Sequence, residues 1–153
     1  MITQEEKKEI EEEIKKAPTK KAAVIDVLKV LQRHRGWVPD EALEEAASLL
    51  DMTPAEVDSI ATFFSLIYRR PVGRHVILVC DSVSCWLVGY DDVKQHLMER
   101  LDISLGETTK DGRFTLLPSA CLGVCEEAPA MMIDDDLYTN LTPPLVDEIL
   151  QKY

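Results

Sequence analysis

A chain of 153 residues is close to the length of one ordinary domain and too short for two large, independently folded ones. Its hydrophobic share of 46% and charged share of 29% sit near globular averages, which excludes wholesale disorder and fibrous structure. With 17 Lys and Arg against 28 Asp and Glu, the net charge is −11. That balance repels phosphate backbones and anionic headgroups, so nucleic acid is not an expected partner.

No apolar run approaches the ~20 residues of a membrane span; the densest, residues 61–68, still contains Thr62 and Ser65. Direct membrane insertion is therefore not expected. The opening residues lack both the apolar stretch of a secretory signal and the Arg-rich, acid-poor character of a transit peptide, so the expected location is cytoplasmic. In that compartment four cysteines point to metal binding or redox chemistry rather than structural disulfides.

Residues 3–68 read as helices, each opened by a capping residue and closed by a breaker. Thr3 with Glu6 makes a capping box for a first helix ending near Lys16, before Pro18. The charge run from Glu5 to Lys16 reads as a solvated face. A second helix opens at Thr19, carries Ala23, Val24, Val27, Leu28, Val30 and Leu31 at helical spacing, and ends at Gly36. The third takes residues 39–50. The fourth opens at Thr53 with Pro54 in its first turn and Glu56 at the box position, and its pattern predicts Val57, Ile60, Ala61, Phe63 and Phe64 pointing inward.

The connector 69–74, Arg-Arg-Pro-Val-Gly-Arg, breaks the helical pattern and sets a boundary between a helical region, 1–70, and a second region, 71–153. Its cations Arg69, Arg70 and Arg74 read equally as a partner contact or a solvated turn. Beyond it the period changes. Residues 75–80, His-Val-Ile-Leu-Val-Cys, read as a buried strand; 90–101 return to helical spacing through Val93, His96, Leu97 and Leu101. Lys110-Asp111-Gly112 signals a tight turn, residues 114–117 and 130–133 read as strands, 134–136 as a turn, and Thr142-Pro143-Pro144 opens a last helix. The expected class is α+β.

All the cysteine lies in two pairs, Cys80-x4-Cys85 and Cys121-x3-Cys125, each placed by this reading just after a strand. Two such loops side by side can present four thiolates to one centre. Ser82, Ser84 and Gly123 are small or backbone-permissive neighbours that let amide groups approach sulfur. Structural zinc also takes four thiolates, but its usual C-x2-C knuckle is missing from both pairs. A thiol-exchange couple favours C-x-x-C beside a βαβ unit, also missing. An iron–sulfur cluster held by Cys80, Cys85, Cys121 and Cys125 is the favoured reading, and spacing leaves [2Fe–2S] and [4Fe–4S] both open.

The segments Val72-Gly73-Arg74, Val79 to Cys85, Gly106 to Leu116, Cys121-Leu122-Gly123-x-Cys125 and Ala128-Pro129-x-Met131-Met132-Ile133 closely resemble the small iron–sulfur subunit of bacterial NADH:quinone oxidoreductase, respiratory complex I. The likeness extends to Gly36-Trp37-Val38-Pro39 and the Val57 to Phe64 helix, with Phe64 where that family commonly shows Tyr. The resemblance implies a helical N-terminal bundle followed by a thioredoxin-like ferredoxin domain whose Cys80, Cys85, Cys121 and Cys125 ligate one [2Fe–2S] cluster. It implies docking on the flavin-bearing, NADH-binding subunit, with FMN and NADH held there and not on this chain. The complex would sit on the cytoplasmic side of the inner membrane. Related subunits serve NAD-reducing hydrogenases and NAD-dependent formate dehydrogenases, and a zinc-stabilised interaction module is the alternative of a different class.

No Gly-x-Gly-x-x-Gly fingerprint is present, so NADH oxidation is not expected from this chain alone. Asp81, Glu126 and Glu127 flank the cysteines and resist further negative charge, which implies a potential nearer the roughly −400 mV of plant-type ferredoxins than the Rieske range. His34, His75 and His96 read as ordinary histidines. Trp86 reads as packing or as a shield for the centre, and Met131 and Met132 should face opposite sides of a strand.

Overall fold

The computed structural model describes residues 1–153, which divide into two compact units, Met1–Pro71 and Val72–Tyr153. The first holds four helices: α1 (Gln4–Lys16), α2 (Val24–Arg35), α3 (Asp40–Leu49) and α4 (Pro54–Phe63). Both capping boxes form: the Thr3 hydroxyl accepts from the Glu6 N–H at 3.2 Å and the Glu6 carboxylate from the Thr3 N–H at 2.7 Å, with Thr53 and Glu56 repeating the pattern. Such caps satisfy N–H groups that the first helical turn leaves unpaired. Thr19 caps a short 3-10 turn, Lys20–Ala23, that leads into α2. Gly36 closes α2 in the left-handed region, φ 78°, where a Cβ is costly. Ile10, Val27, Leu28, Leu31, Ala46, Ala47, Leu50, Val57 and Ala61 are fully buried, each larger side chain contributing about 1.5–3 kcal/mol by leaving water.

One sequence expectation fails here. Phe63 is 81% and Phe64 40% exposed, not inward. Val57 and Ala61, four residues apart, share the buried face; Phe63 projects from another side, and the helix stops before Phe64, which takes an extended backbone, φ −88° and ψ 109°. The connector's Arg69 is also settled. It reaches Asp58 at 2.8 Å and Asp40 at 2.6 Å and donates to the Val38 carbonyl, so it ties its own segment to α3 and α4. Arg70 and Arg74 are exposed.

The second unit is a four-stranded sheet, β1 (His75–Cys80), β2 (Phe114–Ser119), β3 (Met131–Ile133) and β4 (Asp136–Tyr138), in the order β2-β1-β3-β4. β1 runs parallel to β2, from His75 opposite Phe114 to Cys80 opposite Ser119, and antiparallel to β3. A parallel pair needs a crossover, supplied by α5 (Val83–Val88) and α6 (Tyr90–Leu101); α7 (Pro143–Leu150) follows β4 and packs on α6. Ile77, Leu97, Leu116, Met131, Ile133 and Ile149 form the centre of a separate core. Met131 is buried and Met132 half-buried, as strand alternation requires. Gly73 sits where a Cβ would lie 2.9 Å from the Phe114 backbone, and its N–H donates to the Thr115 hydroxyl at 2.6 Å. Two elements differ from the sequence reading: α5 forms where a loop was expected, and Asp136 belongs to β4, not to the turn. α5 buries only Cys85, so it leaves no apolar period to detect, and β4 is three residues with Leu137 45% exposed. No helix is long and apolar enough to cross a membrane.

Candidate metal centre

Because β1 and β2 are parallel neighbours, their C-terminal ends fall at the same end of the sheet. Cys80 is the last residue of β1, and Cys85 sits one turn into α5. Cys121 follows β2 by two residues and Cys125 opens a short 3-10 turn. The strand-end geometry inferred from the sequence is therefore present, with Cys85 on a helix rather than in a loop. The Asp81 N–H donates to the Ser119 carbonyl at 2.9 Å, and the Cys80 N–H to the Ala130 carbonyl at 3.0 Å, which stitches the bases of the three segments together.

All four cysteines are free thiols, Cys80 and Cys85 buried, Cys121 and Cys125 exposed. They fall into two pairs: Cys121 and Cys125 lie 3.3 Å apart at sulfur, and Cys85 has Cys80 as its electrostatic neighbour on the buried side. No three of the chain's metal-binding side chains are drawn to one common point. Two pairs of thiols suit a binuclear group, which takes two thiolates on each iron, better than a single tetrahedral ion.

The sulfurs receive hydrogen bonds from several directions. The Gly123 N–H donates to Cys121 at 3.3 Å, with Gly123 in the left-handed region at φ 85°. The Ala130 N–H donates to Cys85. Ser82 favours the thiolate of Cys121 and Ser84 that of Cys125, so the hydroxyls beside the first cysteine pair act on the sulfurs of the second. The sequence marked Ser82 and Ser84 only as small; their spacing beside Cys80 and Cys85 was the available signal, but the sulfurs that they serve lie about forty residues away in the chain and become neighbours only through the β1–β2 pairing.

Environment splits the thiols. Burial pushes the Cys85 thiol up to about 11, with the Cys80 thiol adding to the rise. The Gly123 N–H, and then Cys125 and Ser82, hold Cys121 below the ordinary thiol value. Cys125 is raised because its thiol is hydrogen-bonded to Cys121. The thiolate is the ligating form, so loading a metal here must release protons. Asp81, Glu126 and Glu127 are exposed beside the ligands. Trp86 is 58% exposed, so it is not packed inside the unit. The histidines lie elsewhere, each beside a carboxylate: His34 by Glu9, His75 by Asp134 and His96 by Asp147.

The sheet order, the crossover helices and the four thiols at the strand ends define an iron–sulfur protein of thioredoxin-like architecture. The chain belongs to the thioredoxin-like [2Fe-2S] ferredoxin family, whose model matches residues 10–153. It is 47% identical over 148 residues to the E subunit of NADH-quinone oxidoreductase from Escherichia coli strain K12, covering 97% of this chain and 89% of that protein. The E subunit from Pseudomonas aeruginosa is 44% identical over 153 residues, covering 100% of this chain and 92% of the relative. Among solved structures, an air-oxidized NAD+-reducing [NiFe]-hydrogenase superposes with a TM-score of 0.71 at 26% identity, over 82% of this chain and 22% of that much longer chain. Membership of the family makes the cofactor a [2Fe–2S] cluster, which decides between the readings that cysteine spacing left open.

Proposed function

We propose that this chain is the subunit of an NADH:quinone oxidoreductase that exchanges single electrons, through one [2Fe–2S] cluster held by Cys80, Cys85, Cys121 and Cys125, with the flavin of a partner subunit that binds NADH. The observation that carries the reading is the similarity to NADH-quinone oxidoreductase relatives along nearly the whole chain, together with four free thiols at one end of one sheet. When bound, the cluster supplies reversible one-electron storage. The chain's own residues do the rest. Cys80 and Cys85 fix the buried side of the site, while Cys121 and Cys125 fix the side that faces solvent. Ser82, Ser84 and the N–H groups of Gly123 and Ala130 neutralise part of the sulfur charge, and Asp81, Glu126 and Glu127 oppose it. The carboxylates keep the potential low, in the range where the cluster can exchange electrons reversibly with a flavin reduced by NADH. Hydride chemistry falls to the partner.

The chain would reside on the cytoplasmic face of the inner membrane through that complex. A second reading, the equivalent subunit of an NAD-reducing hydrogenase, is favoured by the hydrogenase superposition. The test is anaerobic. The loaded chain should keep its visible absorption with NADH alone and bleach when a catalytic amount of the flavin-bearing subunit is added. Persistence of colour with both present would overturn the reading. The partners that co-purify with the native chain, quinone-reducing or hydrogen-oxidising, separate the two host complexes.

A further inference from the structure

Across residues 80–94 and 118–130, the two segments that bear the cysteines, the charged residues are the carboxylates Asp81, Asp91, Asp92, Glu126 and Glu127 and a single cation, Lys94. Lys94 stands one turn into α6 with its side chain 27% exposed, whereas Lys110 of the same unit is 93% exposed. Two contacts hold it there: its Nζ lies 2.7 Å from Asp91 Oδ1 and 4.8 Å from the centre of the Tyr90 ring. Tyr90 is buried in the core that also contains Cys80 and Cys85. One residue earlier, a Cβ on Gly89 would lie 3.7 Å from the Pro129 ring, which seats the start of α6 beside the segment leading from Cys125 to β3. Burial raises the Tyr90 hydroxyl above the ordinary phenol value; Lys94 opposes that rise, while Asp81, Asp91 and Cys80 add to it. One buried ring therefore lies within electrostatic reach of both the cation and a cysteine of the site.

We infer that Lys94, laid over the Tyr90 ring and paired with Asp91, sets the reduction potential of the centre by holding a weakly screened positive charge beside the buried cysteine pair. The inference rests on the functional reading above and adds to it the residues that oppose the carboxylates. Reduction brings one more negative charge to a site already flanked by acids, so each nearby charge shifts the balance between the two redox states. Water and salt screen an exposed carboxylate, but a charge drawn against buried side chains acts through a lower effective dielectric. Within the pair the cation is the less exposed member, since Asp91 is 62% exposed. Loss of Lys94 leaves Asp91 uncompensated and disfavours the reduced state. Loss of Asp91 frees the cation and favours it, by less because Asp91 is the better solvated. An Asp–Lys pair three residues apart also supports a helix, but a pair with that role alone would alter stability and leave the potential where it was.

The experiment is an anaerobic redox titration of the full, cluster-loaded chain, followed by visible absorption, with iron content measured on each sample. Lys94→Gln should keep the wild-type iron content and lower the ratio of reduced to oxidised centre at a fixed poise at least threefold, ~28 mV at 59 mV per tenfold change for one electron. Asp91→Asn should raise that ratio by a smaller factor, and the double variant should fall between the two single ones. Lys94→Arg, which keeps a cation able to stack on the ring, should titrate close to wild type. Unchanged potentials in the Lys94→Gln and Asp91→Asn variants, with iron retained, would overturn the inference and leave the functional reading intact. Shifts of the same sign in both would overturn it as well, since they would report a disturbed site and not its charge. A wild-type chain that takes up no iron and sulfide on reconstitution would overturn the functional reading and this inference with it.

Discussion

Glu6 and Arg35 join α1 to α2 by two hydrogen bonds, Nε to Oε1 at 2.6 Å and Nη2 to Oε2 at 2.7 Å, while the same carboxylate closes the Thr3 capping box. Glu6 is only 2% exposed. The Arg35 guanidinium, ahead of the Thr3 hydrogen bonds, holds its carboxyl down from 4.5 to about 2. Because the folded value is depressed, the pair stabilises the fold above pH 4.5, and that stabilisation drains away as pH falls from 4.5 toward 2.

Glu6→Gln keeps the capping box but removes the ion pair. Lowering a carboxyl pKa by one is worth about 1.4 kcal/mol, so the fall from 4.5 to about 2 means that the variant should lose ~3 kcal/mol of helical-unit stability at neutral pH, the low end of the range for breaking a buried pair. The gap between variant and wild type should close toward pH 2. Urea midpoints followed by far-ultraviolet dichroism across that range test this, and a gap independent of pH would show that the ion pair is not its source.

Iron and acid-labile sulfide should each approach two per chain, the content of one [2Fe–2S] cluster. Cys80→Ala and Cys121→Ala should each abolish a stable cluster, since one missing thiolate opens an iron to water. The Cys80 change should also cost folding stability, because Cys80 is buried in the sheet and Cys121 lies in solvent. Undiminished cluster content in either variant would remove that cysteine from the ligand set.

Ser82→Ala and Ser84→Ala should leave the cluster assembled and lower its reduction potential. Each hydroxyl favours the thiolate form of a cysteine in the opposite pair, and hydrogen bonds to sulfur favour the more negative, reduced state. A net hydrogen bond of about 0.5–1.5 kcal/mol corresponds to roughly 20–65 mV for one electron, at 59 mV per tenfold change. Redox titration followed by visible absorption measures the shift. An unchanged or raised potential would show that these hydroxyls do not act on the cluster.

The contrast between these serines and Glu6 shows what a sequence makes legible. Capping boxes, the Gly36 stop and the two cysteine pairs are local patterns, so the helices, the strand ends and the four thiols can be read from short windows. The Glu6–Arg35 pair spans 29 residues, and the serine donors depend on β1 and β2 lying side by side; neither leaves a local trace. Phe63 and Phe64 misled for the opposite reason. Their hydrophobicity fits a buried stripe, but the stripe requires the helix to continue through Phe64, and it does not. The same exposed apolar character on α5 left that helix unread, since a helix that buries one cysteine has no periodic face.

Residues 72–153, expressed without the helical unit, should fold and assemble the cluster. All four cysteines lie inside this segment, as do the hydroxyls and N–H groups that meet them. Its core is its own: Leu97, Leu116, Met131 and Ile133 are fully buried among residues of the same unit. A cut after Pro71 spares the Gly73 N–H to Thr115 bond and the Arg74 N–H to Gly112 carbonyl bond, 2.9 Å, that anchor the entry to β1. The segment is also well above the ~40 residues below which disulfides, metals or association are usually needed for a stable fold. The truncated protein should therefore show the visible spectrum, iron content and sulfide content of the full chain. Because the cluster contributes to stability only while bound, chelation of iron should lower the thermal midpoint of the truncated protein. A segment that is unfolded by near-ultraviolet dichroism even after reconstitution with iron and sulfide would show that residues 1–71 are required for the metal-binding unit to form.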